Sequence, residues 1–172
     1  MMMPPELLIL LPALIGFVVL LARHRKPTPT GAVIPRHAIV VDGSNVMHWG
    51  GAPSAKVLVR VLGALQAKGY APIVFFDASV GYLLADRYLD AGDLAGLIGL
   101  PAAQIHVVDK GVIADSAILG FSALHGLRIV SNDQYRDWRV QFPHLHRKGA
   151  VLRGRFQDGA VVWQQRLKLV RA

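Results

Sequence analysis

The chain predicts an α/β fold: a central, mostly parallel sheet with helices on both faces, closed by a C-terminal β-hairpin and preceded by one transmembrane helix. Three observations carry this. Short β-branched apolar runs alternate with segments of helical periodicity, the pattern of βαβ units whose strands are buried on both faces. An Asp158-Gly159 pair separates two apolar stretches near the end, a hairpin signal. The chain also opens on sixteen uncharged, mostly apolar residues, 7–22.

Extended back to Pro4 or Pro5, that opening run nears the ~17–25 residues that span a bilayer. Nothing basic precedes it, and Arg23-His24-Arg25-Lys26 stands where a signal peptide would be cleaved, so an anchor is expected rather than a leader. The positive-inside rule puts the basic cluster in the cytoplasm and the N-terminus outside. Residues 1–25 are thus expected to be a single-pass anchor. Residues 26–35, rich in Pro, Thr and Gly, form a short semi-rigid linker, and 36–172 a cytoplasmic domain.

Within that domain, 37–42 (HAIVVD) reads as a buried parallel strand. Ser54 can cap a helix through about Lys68, with Val57, Val61, Leu62 and Leu65 at helical spacing and Gly69 as its end. A second strand follows at 71–77 (APIVFFD). Residues 82–100 read as one or two helices, broken around Gly92 and stopped by Pro101. Residues 105–109 form a third strand, 113–125 a helix ended by Gly126, and 127–131 a fourth strand. A short helix over 134–142 is ended by Pro143. Strands at 150–156 and 160–167 flank the Asp158-Gly159 turn.

In open parallel sheets the site lies outside the carboxyl ends of the strands. Asp42, Asp77, Asp109 and the Ser131-Asn132-Asp133 run all occupy such ends. Any one aspartate there can be only a turn former or helix cap. Four of them, in a chain whose sole glutamate is Glu6, point instead to a convergent acidic site.

Composition narrows the chemistry. With no cysteine among 172 residues, a disulfide framework, a thiolate zinc site and a cysteine nucleophile are excluded together. The net charge is +8, and from Arg128 onward ten Lys or Arg residues face Asp133, Asp137 and Asp158. A basic half on a small domain suggests a polyanionic partner, nucleic acid or anionic lipid, although charge kept for solubility explains it equally well. The His144-Leu145-His146-Arg147-Lys148 run reads as a basic surface loop. A dinucleotide-binding fold lacks its Gly-rich turn after the first strand, and a haloacid-dehalogenase-like phosphatase lacks its second aspartate, since Ser44 stands there.

In Asp42-Gly43-Ser44-Asn45, Gly43 permits a sharp turn, Asp42 can bind a hard cation, and Asn45 can orient a phosphate or water. Asp115, among small apolar residues, is either a first-turn acid favoured by the helix dipole or a ligand aimed into the cleft. Asp133 either caps the next segment or joins the site. Asp137, one turn on, is either a supporting acid or a partner for nearby arginines. Trp49, Tyr82, Tyr135 and Trp138 can stack on bases, or belong to the core.

Asp42-Gly43-Ser44-Asn45, followed by Ser131-Asn132-Asp133-x-Tyr135-Arg136-Asp137, resembles the NYN/PIN-like endoribonucleases of the Regnase type, over residues 36–167. The resemblance implies a PIN-like three-layer α/β/α fold. It also implies a catalytic set of Asp42, Asn45, Asp115 and Asp133, with Asp42, Asp115 and Asp133 as ligands of Mg²⁺ or Mn²⁺. The implied reaction is phosphodiester hydrolysis by a water activated at one or two such ions. Around that set, Ser44, Arg136, Arg139, Arg147, Lys148, Arg153 and Arg155 are candidates to hold the RNA backbone, and Asp77 and Asp137 to support the ligands.

Two departures stand out. Such relatives carry two adjacent aspartates followed by Arg-Phe where this chain has Ala114-Asp115-Ser116-Ala117, so the number of metals is open and Asp77 or Asp137 is left to compensate. The CCCH zinc finger of the animal relatives is absent. The expected partners are RNA, as single strands or structured loops, the membrane through the N-terminal helix, and a second copy of the chain. The rival expectations are an inactive PIN-like module that binds RNA or docks a protein at the membrane, and a nuclease acting on DNA.

Overall fold

The computed structural model describes residues 34–170. The expected anchor at 1–25, and all but the end of the expected linker, lie outside the described residues. Among the described residues no helix is long and apolar enough to cross a membrane.

Five short strands form the main sheet: β1 (Ala38–Asp42), β2 (Ala71–Phe76), β3 (Ile105–Val107), β4 (Ile129–Val130) and β5 (Val151–Leu152). Their order is β3-β2-β1-β4-β5, and every neighbouring pair is parallel. The helices are α1 (Gly43–Val46, a single turn), α2 (Ala55–Gln66), α3 (Val80–Ala85), α4 (Ala91–Ile98) and α5 (Ala114–His125). A separate antiparallel hairpin, β6 (Gly154–Gln157) and β7 (Ala160–Trp163), closes the domain.

Period-two alternation along β1 divides the core. Ile39 and Val41 pack with Leu58, Val61, Leu62 and Leu65 of α2 and Leu94 and Ile98 of α4. Val40 packs on the opposite face with Ile118 and Leu119 of α5, Tyr135 and Leu145. A strand apolar on both faces needs two covers, and the three-layer α/β/α arrangement follows from that need. Ser54 caps α2 by accepting from the Val57 amide at 3.4 Å, as its sequence position implies.

Several elements differ from expectation. Strands expected at 105–109 and 127–131 pair over only three and two residues. The break between α3 and α4 falls at Asp86, whose φ is 53°, while Gly92 sits inside α4; the Asp90–Asp93 capping box starts that helix. No helix spans 134–142. Tyr135 takes a left-handed φ of 46°, which stops helical propagation, and only a 3₁₀ turn, Arg136–Trp138, follows. Pro143 begins a second 3₁₀ turn, Pro143–His146, instead of ending a helix. The run expected as one strand over 150–156 divides at Arg153: its first half joins the parallel sheet and its second half the hairpin. The hairpin's second strand stops at Trp163, short of the expected 167. Asp158 and Gly159, with φ of 52° and 78°, make the expected tight turn.

Strand order reverses about β1, with β2 and β3 to one side and β4 and β5 to the other. The switch point therefore lies between the carboxyl ends of β1 and β4, where the chain places Asp42 and the Ser131-Asn132-Asp133 segment.

Candidate active site

The turn after β1 is shaped by packing. The ring of Phe76 lies so close to Gly43 that any Cβ there would collide with it, so glycine is required for α1 to begin directly at the strand end. In α1, Asp42 caps the turn by accepting from the Asn45 amide at 3.0 Å. Ser44 Oγ accepts from the Asp77 amide at 2.9 Å and so ties the ends of β1 and β2 together.

Asn45 joins three segments. Its side-chain oxygen accepts from the Asn132 amide at 2.9 Å and from the Trp49 indole at 3.1 Å. Asn132 in turn exchanges two hydrogen bonds with Gly154: its Nδ2 donates to the Gly154 carbonyl at 2.9 Å, and its Oδ1 accepts from the Gly154 amide at 3.2 Å. Trp163 of the hairpin meets Trp49 edge to face, with ring centroids 5.8 Å apart. The hairpin is thus fastened to both motif loops.

Around Asp42 the chain builds a closed shell. The carboxylate is 6 % exposed and accepts from Ser131 Oγ at 2.9 Å and Tyr135 Oη at 3.1 Å. Ser131 Oγ also accepts from the Asp133 amide at 3.1 Å, and Asp133 Oδ1 accepts from the Tyr135 amide at 2.6 Å, closing an Asx turn. Burial pushes the Asp42 carboxyl up to about 6. The donors from Asn45, Ser131 and Tyr135 oppose that rise, and the charge of Asp115 adds to it. Burial and the neighbouring Asp42 charge also raise the Tyr135 phenol, which keeps it a donor.

These elements open onto one cleft, lined by Asp42, Ser44, Asn45, His48, Asp77, Ala114, Asp115 and Asp133. Asp115, half-buried in the first turn of α5, is raised by burial and by the charges of Asp133 and Asp77, against a hydrogen bond from Trp138. The lining holds four carboxylates and neither lysine nor arginine. Among the described residues, no three such groups converge into a ready-made metal cage. The donor set still suits a hard divalent cation that keeps part of its water shell, and the repulsion felt by Asp42 and Asp115 is what such a charge would relieve.

The structure sorts the sequence candidates. Asp42, Ser44, Asn45, Asp77, Asp115 and Asp133 come together in the cleft, whereas Asp109 lines a neighbouring pocket and Asp137 is exposed outside the cleft. Arg136, Arg147, Lys148 and Arg155 are exposed and Arg139 and Arg153 half-buried; none of the six lines the cleft. Trp49 and Tyr135 do not stack on bases, being 7 % and 1 % exposed and committed to the core. Sequence reasoning missed His48 in the cleft wall and Ser131 and Tyr135 as holders of Asp42. His48 was signalled by its place one turn after Asn45.

Residues 35–158 match the family model of the Zc3h12a-like ribonuclease NYN domain, which is most of the chain. No curated protein is significantly similar in sequence. Among solved structures, the nuclear protein-only RNase P 2 (PRORP2) of Arabidopsis thaliana aligns with a TM-score of 0.57 at 18 % identity. That alignment covers 75 % of this chain and 29 % of the Arabidopsis one, and at such identity it speaks for the fold.

Proposed function

The chain belongs to the Zc3h12a-like ribonuclease NYN domain family, a PIN-like fold, and on that premise we propose that it is a metal-dependent endoribonuclease. The observation that carries the reading is the cleft at the β1–β4 switch point, which four aspartates line with neither lysine nor arginine among them. Asp42, Asp115 and Asp133 would hold Mg²⁺ or Mn²⁺. Asp77 brings the carboxylates to four in a chain with a single acid at the start of α5. Such an ion supplies Lewis-acid activation of water and neutralises charge on the phosphate.

The protein's own part is preorganisation. Ser131, Tyr135 and the Asn45 amide fix both oxygens of Asp42, so this ligand does not reorient when substrate binds. Asn45 holds the two motif loops in register, and its place in the cleft wall lets it face the phosphate. The exposed Arg136, Arg147, Lys148 and Arg155, with Arg139 and Arg153, would guide the RNA backbone toward the cleft without reading sequence. Tethering to the cytoplasmic face through residues 1–25 belongs to the same proposal and rests on the apolar run and the basic cluster after it. A C-terminal reporter active only outside the cytoplasm would overturn that orientation.

One observation favours a second reading. Ser116 follows Asp115, so the start of α5 offers a single acid, which fits an inactive RNA-binding or protein-docking module. The deciding experiment is RNA cleavage by the 172-residue chain with Mg²⁺, Mn²⁺ or EDTA, beside Asp42→Asn and Asp133→Asn. Metal-dependent cleavage lost in both variants supports the enzyme. Salt-sensitive binding with no cleavage under any metal selects the module.

A further inference from the structure

A second pocket of about 620 Å³ adjoins the acidic cleft and shares Asp77 with it. Its walls include Ser79, Tyr82, Tyr88, Lys110 and Val112. Resting on the endoribonuclease reading, we propose that this pocket receives an unpaired nucleobase of the RNA strand being cut, stacked against Tyr82 and Tyr88.

The two tyrosines are 59 % and 56 % exposed, and Val112 is 51 % exposed. Planar amphipathic rings left exposed beside the acidic cleft offer what a base requires: a π face, and a hydroxyl able to hydrogen-bond. Lys110 in the pocket wall adds a cationic side chain beside a cleft that has neither lysine nor arginine, and would meet the phosphate of the bound nucleotide.

The loop that carries Tyr88 is built rather than loose. After α3 the chain reverses through Asp86, and the backbone of Arg87 and Leu89 lies so close to Gly81 that any Cβ there would collide with it. Only glycine at position 81 lets Tyr88 fold back beside the helix that bears Tyr82. Leu89, 3 % exposed, anchors the return, and Arg87 holds it by pairing with Asp93 at 3.3 Å and donating to the Tyr88 carbonyl at 3.2 Å.

Bases in a duplex have both faces covered by their neighbours, so such a pocket selects single strands and loops. Loss of one stacked base costs roughly tenfold to a hundredfold in affinity. It also predicts a fixed offset: the seated base lies a constant number of nucleotides from the scissile bond.

The test walks one abasic nucleotide along a single-stranded RNA and measures cleavage by the 172-residue chain with Mn²⁺. The expected result is a loss of tenfold or more at one offset from the cut and little change elsewhere. The Tyr82→Ala/Tyr88→Ala double variant should cut intact RNA slower by a similar factor and lose nothing further on the abasic substrate. Tyr82→Phe/Tyr88→Phe, which keeps the rings, should retain the offset dependence. Wild-type cleavage indifferent to abasic position overturns the pocket alone, and additive losses in the double variant do the same. A wild type that cuts no RNA with any divalent cation overturns the ribonuclease reading and this inference with it.

Discussion

The Tyr135 hydroxyl donates to the Asp42 carboxylate at 3.1 Å, joining two nearly inaccessible side chains 93 residues apart. Tyr135 reaches that position from a left-handed backbone with φ of 46°, a conformation that costs a bulky residue about 1–3 kcal/mol. The Asp133 side chain stabilises the turn by accepting from the Tyr135 amide. One motif thus places an acid in the cleft while its neighbour two residues on secures the acid of the other motif. Strain, burial and charge meet where the chemistry is proposed, and each has a direct consequence.

Asp42→Asn should abolish metal-dependent RNA cleavage, a loss of roughly a hundredfold or more, because it removes a ligand charge at nearly constant shape. The fold should persist, although one of the two oxygens that accept from Asn45, Ser131 and Tyr135 is replaced by an NH2 group. A buried carboxyl raised to about 6 is ionised at pH 7.5 at a cost to the folded state, and the amide carries no such cost. In EDTA the variant's thermal midpoint should therefore fall less far below that of the wild type at pH 7.5 than at pH 5. The same difference at both pH values would contradict the assigned environment of Asp42.

The same group sets a pH dependence with a definite sign. Between the ordinary carboxyl value of 3.8 and about 6, the folded protein binds the Asp42 proton and the unfolded chain does not. Stability from this group is therefore fully present below 3.8 and is lost as pH rises through 6, by about 3 kcal/mol at most. A divalent cation bound to the ionised form offsets that loss. Thermal midpoints with and without Mn²⁺ should diverge as pH goes from 5 to 8 in the wild type, and the divergence should shrink in Asp42→Asn. Equal shifts at both pH values would refute the linkage.

Much of this arrangement was legible in the sequence because strand ends are. An apolar run that stops at Asp42-Gly43 or Ser131-Asn132-Asp133 announces both the strand and what it presents, and the topology does the rest. The spacing was less informative for Asp109, which shares the strand-end pattern yet faces the adjoining pocket, while Asp115 reaches the cleft from the first turn of α5. What separates the two is where the loop between them turns, and Lys110-Gly111-Val112 gives no period to read. Tyr135 was hidden for another reason. The run about it suggests a short helix whose aromatics either stack on bases or join the core, and the left-handed backbone that brings the Tyr135 hydroxyl to Asp42 has no sequence signature. Arg136 and Arg147, expected as holders of the RNA backbone, are exposed and do not line the cleft; net charge carries no direction, so the sequence could not show this.

Tyr135→Phe isolates the hydroxyl. The ring keeps its place in the core, so stability should fall by only about 1.5–3 kcal/mol, the worth of a hydrogen bond to a charged acceptor. Without that donor the Asp42 carboxyl rises further. Cleavage should fall more at pH 6 than at pH 8, moving the acid limb of the pH–rate profile upward. A uniform loss at both pH values would mean that Tyr135 acts through packing alone.

Asn45→Ala tests whether the motif loops are held together or merely adjacent. The substitution leaves the Trp49 indole N–H without its acceptor in a nearly closed environment, and it frees the Asn132 amide from the α1 turn. An unsatisfied buried donor costs about 1–3 kcal/mol, and the hairpin, fastened through Trp49 and Asn132, should loosen with it. A lower urea midpoint should therefore come with a change in near-ultraviolet tryptophan dichroism and with faster amide exchange across 154–163. Cleavage should drop without recovering at high Mn²⁺, since the defect lies in alignment rather than in ligand number. Unchanged dichroism together with metal-rescued cleavage would instead make Asn45 a direct ligand-side residue with no part in joining the loops.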